Sequence, residues 1–196
     1  MAARNITRER ILEAAEEAFA ERGYHDTAVD DIGRATDLSK GGLYFHFPSK
    51  EDLFFAVMDR LADRLVKKAE RAATSSSDPL SGAVAALEAV LASLSRRRRL
   101  ARLLLLQGYS MGNAFEQKRA ATFERFAKLI QNHLDASLAA GRILDIDTGV
   151  ASRAWVGAIN EVTLYWLYQG GPTPIDQFSQ LRNMLIEGVR PREGRH

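Results

Sequence analysis

Apolar residues recur at helical spacing along almost the whole chain, and no stretch requires a strand. Ile11, Leu12, Ala15, Ala18 and Phe19 form one stripe over 7–22, with Thr7 placed to cap that helix and Gly23 to stop it. Over 27–50 the rhythm shortens. Thr27 with Asp30 three residues on is a capping pair for a short helix carrying Val29, Ile32 and Ala35 on one face. Asp37-Leu38-Ser39 then breaks the pattern, because Asp tolerates the left-handed backbone of a tight turn and Ser39 can cap a second short helix over 40–45.

Ser49-x-x-Asp52 opens a long helix over 50–73, in which Leu53, Val57, Leu61 and Leu65 repeat every fourth residue. It is too long to belong to a small N-terminal domain alone and must connect that domain to the C-terminal part of the chain. Asp78 and Pro79 start a helix over 80–94; four cations, Arg96, Arg97, Arg98 and Arg99, lead into a leucine-faced helix over 100–111. The cations read as a solvated helix junction or, alternatively, as a site for an anionic ligand group. Asn113-x-x-Glu116 begins the next helix, with Phe123, Phe126, Ile130 and Leu134 on its buried stripe and Gly141 at its end. A helix from Asp147 or Thr148 runs to Gly170-Gly171-Pro172, and Thr173-Pro174-x-Asp176 caps a last one bearing Phe178, Leu181, Leu185 and Val189. The expectation is an all-α chain of about nine helices. Residues 1–49 would form a three-helix helix-turn-helix domain and 50–196 a second helical domain.

The helix over 148–169 is apolar on two sides: Trp155, Ile159, Val162 and Trp166 on one, Ala154, Gly157, Ala158 and Leu164 on the other. A surface helix of a monomer needs one such stripe, so the excess predicts packing against a second subunit, Gly157 and Ala158 permitting close approach. Trp155, Gly157, Ala158, Val162, Phe178, Leu181 and Leu185 are the expected homodimer interface. A central core helix is the plainer alternative.

The second short helix carries adjacent glycines, Gly41 and Gly42, each costing roughly 1 kcal/mol against Ala in a helix interior. Glycine lets the backbone approach a large partner, while Lys40, Tyr44, His46 and Lys50 bring donors to the same place. A helix-turn-helix in the major groove uses that combination, although an ordinary helical hairpin shares the bare two-helix pattern. The string decides between them: Ile32 with SKGGLYFHFPSKEDLF closely resembles the signature of the tetracycline-repressor-type (TetR) transcriptional regulators, over roughly residues 7–57. The resemblance implies that Lys40 and Gly41 lie at base edges, that Tyr44 and His46 contact base or backbone, and that Thr27 and Lys50 bind phosphate. Ser39 and Gly42 complete the expected DNA-binding set. Asp37 stands where the family usually has glycine, and Gly42 where it often has threonine. The same resemblance implies a dimer through the last two helices and a repressor relieved by ligand. LARLLLLQGYSMGNAFEQKR and RAWVGAINEVTLYW are also similar to segments of TetR-type repressors that respond to fatty acyl-coenzyme A.

Composition narrows the rest. With 196 residues, 46% of them hydrophobic, the chain can bury a sizeable core, and the absence of cysteine excludes disulfides and thiolate chemistry. The formal net charge is only +2, and residues 1–50 hold seven Lys or Arg against nine Asp or Glu. DNA binding would therefore depend on a local cluster, with modest non-specific affinity. No apolar run is long enough for a membrane span, so the expected setting is cytoplasmic. No catalytic, metal or cofactor motif stands out and the four histidines are scattered. An effector pocket is expected among Leu87, Leu91, Leu104, Gln107, Met111, Phe123, Phe126, Asn160 and Trp166, largely apolar with a few polar groups. The rival expectation is an enzyme or small-molecule carrier built on the C-terminal helices.

Overall fold

The computed structural model describes residues 2–107 and 111–191, with side chains from Thr7 onward. Among these residues there are nine α-helices and no strand: α1 (Ala2–Asp26), α2 (Val29–Ala35), α3 (Lys40–His46), α4 (Lys50–Thr74), α5 (Pro79–Arg96), α6 (Arg98–Leu105), α7 (Asn113–Ala139), α8 (Thr148–Gln169) and α9 (Phe178–Glu187). The all-α reading therefore holds. Local signals explain most ends. Gly23 interrupts α1 with φ 85°, the Asp78 carboxylate accepts from Ser81 N at 3.1 Å ahead of Pro79, and the Asp147 carboxylate accepts from Val150 N at 2.9 Å.

Four boundaries differ from the sequence expectation. Helix α1 starts at Ala2, so Thr7 lies inside it and is no cap. Thr27 is not the cap of α2 either; Ala28 holds that place without a side-chain bond, because the Thr27 hydroxyl points back and donates to the carbonyls of Gly23 (2.7 Å) and Ala18 (3.1 Å). Helix α6 stops at Leu105, where Leu106 N and Gln107 N both donate to Arg102 O and tighten the last turn. The remainder of the expected 100–111 helix includes residues 108–110, which lie outside the described residues, as does the tail beyond residue 191. Finally, the Thr173–Asp176 capping box closes a 3-10 turn (Pro174–Gln177), and α9 follows it only as far as Glu187. Val189 lies beyond that helix, buried, with its carbonyl accepting from Leu144 N at 2.8 Å.

The chain forms two compact units, one of residues 1–63 and 99–118, the other of 64–98 and 119–196. In the first, Ile11, Leu12, Ala15 and Phe19 of α1 are buried with Ile32, Leu43, Phe47, Leu53, Phe54 and Val57. Phe54 anchors this core by meeting Phe19 (5.4 Å) and Tyr24 (5.0 Å) edge-on. In the second, Leu80, Leu87, Leu91, Phe126, Ile130, Leu134, Trp155, Ile159 and Leu167 are buried. Of the arginine run, Arg98 ends α8: its guanidinium donates to the carbonyls of Trp166 (3.3 Å) and Leu167 (3.0 Å) and lies 5.1 Å from the Trp166 ring centre. A cation at a helix C-terminus satisfies orphan carbonyls and opposes the helix dipole.

Gly82 permits the tightest crossing in the second unit. A Cβ there would stand 2.8 Å from His133 Cδ2 and 3.0 Å from the Ala73 carbonyl oxygen. The His133 ring cannot swing aside freely, since its Nδ1 is 3.0 Å from Leu129 O. Gly82→Ala is expected to destabilise the chain by about 1–2 kcal/mol, overpacking outweighing the helix propensity gained. A melting temperature at or above wild type would refute this.

Candidate nucleic-acid interface

The turn between α2 and α3 is built around one carbonyl. Gly33 O accepts from Thr36 N (3.1 Å), Leu38 N (2.9 Å) and the Thr36 hydroxyl (3.1 Å), while Asp37 takes the left-handed conformation expected of it, with φ 56°. Gly33 itself is required for packing: a Cβ there would lie 2.8 Å from Leu38 O, a backbone atom of the same turn. Sequence reasoning passed over Gly33. Its position four residues before the left-handed Asp37 was the available signal.

Helix α3 begins as expected, with Ser39 extended and its Oγ accepting from Gly42 N at 3.2 Å. Leu43 is buried and fixes the inner face; Lys40, Gly41, Tyr44 and Phe45 point outward. Gly41 has open space where a Cβ would be, so its exposed backbone is bare. Gly42 has Ser39 Oγ and Leu38 at ordinary contact distance, hence its role is local. The Lys40 ammonium is exposed and 3.3 Å from Asp30. His46 is half-buried, its ring edge-on to Phe45 with centroids 5.5 Å apart.

Two expected phosphate donors are differently employed. Thr27 is 1% exposed and its hydroxyl is spent on α1 carbonyls, which removes its side chain from any DNA-facing role. Lys50 donates to His25 O at 3.1 Å and sits 4.6 Å from the Tyr24 ring centre. Burial pulls its pKa below the usual lysine value, and the Asp26 carboxylate pushes back against that shift. Lys50 thus secures the α1 end to the start of α4, and reaching phosphate would mean exchanging those contacts. Arg8 likewise lies over Phe47, 4.8 Å from its centre.

The expected pocket residues divide between the units. Leu87, Leu91, Phe123, Phe126, Asn160 and Trp166 are in the second, and Leu104, Gln107 and Met111 in the first. Most are buried or half-buried, and two carry a polar atom buried without a hydrogen-bond partner among the described residues: Gln107 Oε1 and Asn160 Oδ1. Of the expected interface residues, Trp155 (3% exposed) and Phe178 are buried within the protomer and cannot form a face for a second copy. Their large apolar surface is used by the core instead. Ala158, Val162, Leu181 and Leu185 are half-exposed and Gly157 is fully so, with open space above it. The outer face of α8 also carries Val150, Tyr165 and Tyr168, the tyrosines each 65% exposed, and α9 presents Met184.

Among the described residues no group of acids, histidines or cysteines is arranged to hold a metal ion, and no helix is long and apolar enough to cross a membrane.

Residues 11–57 match the model of the bacterial regulatory proteins, tetR family. The chain is 40% identical over 86 residues to the HTH-type transcriptional activator FasR of Mycolicibacterium smegmatis, an alignment spanning 44% of this chain and 39% of that protein. With the HTH-type transcriptional regulator YdgC of Bacillus subtilis it shares 24% identity over 191 residues, 95% of this chain and 94% of the other. Its fold is similar to that of the transcriptional regulator FadR from Bacillus subtilis, solved in complex with stearoyl-CoA: TM-score 0.81 at 19% identity, over 93% of this chain and 99% of that one.

Proposed function

We propose that the chain is a bacterial transcriptional regulator of the TetR family, a cytoplasmic, dimeric repressor and not an enzyme, released from a near-palindromic operator by a largely apolar effector. Residues 1–49 take the DNA and 50–196 the effector and the partner subunit. The observation that carries the reading is the outer face of α3, where bare Gly41 backbone is flanked by Lys40 and Tyr44. That arrangement offers close approach, a cation and a hydroxyl in one small surface, as major-groove docking uses. Ser39, Gly42 and His46 shape this helix, and Lys50 joins the phosphate contacts only by leaving His25 O.

The dimer face is drawn outward from the sequence expectation, to Val150, Ala154, Gly157, Tyr165 and Tyr168 of α8 with Met184 of α9. Single exposed apolar residues need no explanation, but several on one side of α8 do, although exposed Glu161 lies among them. Tyr165→Glu places a charge on each subunit at that face and is expected to give monomers by sedimentation velocity. An intact dimer at micromolar concentration would move the interface elsewhere.

For the effector, Asn160 is the polar anchor in the second unit, its buried Oδ1 facing no donor among the described residues. A buried acceptor left unpaired costs about 1–3 kcal/mol, which a ligand N–H or O–H would recover. An acyl-coenzyme A, the ligand class of the FadR complex, combines a long apolar chain with amide donors and is the first probe to use.

The full chain should be used to select duplexes from a randomised library, then titrated with stearoyl-CoA. Enrichment of two half-sites about 34 Å apart, or a multiple, is expected. Release by the acyl thioester must be matched by an equal weakening of its own binding when DNA is present. Failure to enrich any duplex would overturn the regulator mechanism; enrichment without release would overturn only the effector class.

A further inference from the structure

We propose that Phe45, on the same outer face of α3 as the open backbone of Gly41, reads the C5-methyl group of a thymine in each operator half-site. The inference rests on the DNA-binding role of α3 and adds to it a residue that determines sequence preference.

Phe45 is 68% exposed, the one exposed phenylalanine of the chain's nine, all of which are described. Its neighbours on the inner side, Leu43 and Phe47, are almost fully buried, so the helix does not lack an anchoring face that Phe45 might have filled. The ring belongs to the outer surface, in line with Gly41 one helical turn earlier. Helical side chains lean toward the N-terminus, so a residue covers the surface of the turn before its own Cα. Gly41 lies in that turn, but an added Cβ there would meet nothing within 4 Å, so the ring stands clear of the Gly41 backbone and leaves it open. The exposed ring and the open Gly41 backbone thus share one outer face of α3 with the polar groups of Lys40 and Tyr44.

Phosphate oxygens cannot be the target of such a ring, since a phenyl group has neither donor nor formal charge. In the major groove the apolar feature that distinguishes one base is the thymine methyl, and phenylalanine is among the side chains that contact it. Lys40 and Tyr44 can hold the backbone or a base edge while Phe45 supplies the preference. The half-buried His46 ring, edge-on at 5.5 Å, limits where the Phe45 ring can lie.

The test uses the full chain and a duplex selected from a randomised library. Each thymine of the half-site is replaced in turn by deoxyuridine, which deletes only the methyl group. One position is expected to weaken wild-type binding about fourfold per half-site, the transfer value of one methyl group. Phe45→Ala should bind more weakly and be indifferent to the same replacement, the two losses being non-additive because they remove one contact. Phe45→Leu, still apolar, should keep part of the methyl dependence. Melting curves of both variants are to be taken beside wild type, and binding compared at a temperature where all three are folded, so that a loss of stability is not read as a loss of contact. The proposal is overturned if no thymine methyl matters to wild type, or if Phe45→Ala senses it as strongly. A library that yields no enriched duplex would overturn the DNA-binding reading and this inference together, an outcome distinct from an enriched duplex without methyl dependence.

Discussion

Gly41→Ala is expected to make the chain more stable and a poorer DNA binder. In the free protein the new methyl group meets nothing within 4 Å, and Gly41 lies in a helix where its φ is not left-handed. Alanine there gains about 0.5–1 kcal/mol through helix propensity and a less flexible unfolded chain. On DNA the same methyl occupies the space through which the α3 backbone approaches the groove. Overpacking a close interface costs about 1–3 kcal/mol, so affinity should fall roughly tenfold or more for each half-site engaged. Thermal melting and fluorescence anisotropy on the selected duplex separate the two effects. A rise in melting temperature with undiminished affinity would show that Gly41 does not face the groove.

That expected opposition between folding and binding is what makes Gly41 stand out in the sequence as a candidate. A glycine pair inside a seven-residue helix contradicts local propensity, and such contradictions gather at functional surfaces. Period and capping signals placed α3, α4 and α8 within a few residues, and period alone placed α2, because apolar spacing and Asp, Ser or Gly at the ends act through local geometry. The job that a polar group performs, where two are plausible, could not be read. Thr27 and Lys50 were equally able to meet phosphate or to tie helices together, and only the position of α1 shows their partners to be the carbonyls of Gly23 and His25. Burial posed the same difficulty on α8. Trp155 and Val162 share a stripe, yet the tryptophan is enclosed by its own protomer and the valine is not, a distinction set by neighbouring helices distant in sequence.

Arg60 was silent in the sequence and should matter greatly to the first unit. Glu9, Glu13 and Glu16 lie along one side of α1, where carboxylates three and four residues apart repel. One guanidinium on α4 answers all three: Arg60 Nε donates to Glu9 at 2.6 Å, Nη1 to Glu16 at 2.8 Å and Nη2 to Glu13 at 3.0 Å. The three contacts are not equal in energy. Glu9 and Glu13 are more than half exposed, and screened pairs of that kind contribute little. Glu16 and Arg60 have side chains only 12% and 15% exposed, so removing the guanidinium takes away the cation that a largely buried anion faces. Arg60→Met keeps the apolar stem and deletes the charge; it is expected to cost about 2–4 kcal/mol and to lower the melting temperature by roughly 4–12 °C. Arg60→Lys should recover only part, since an ammonium cannot present the guanidinium fork to three carboxylates. Adding Glu16→Gln to Arg60→Met should restore stability relative to Arg60→Met alone, because the buried charge that needed neutralising is gone. If Arg60→Met melts with wild type, or if the Glu16 change makes the double variant worse by its full single-variant cost, the cluster does not hold α4 to α1. If the expected losses appear, the ion cluster is what makes α1 and the first turns of α4 one body, the framework on which α2 and α3 are carried to DNA.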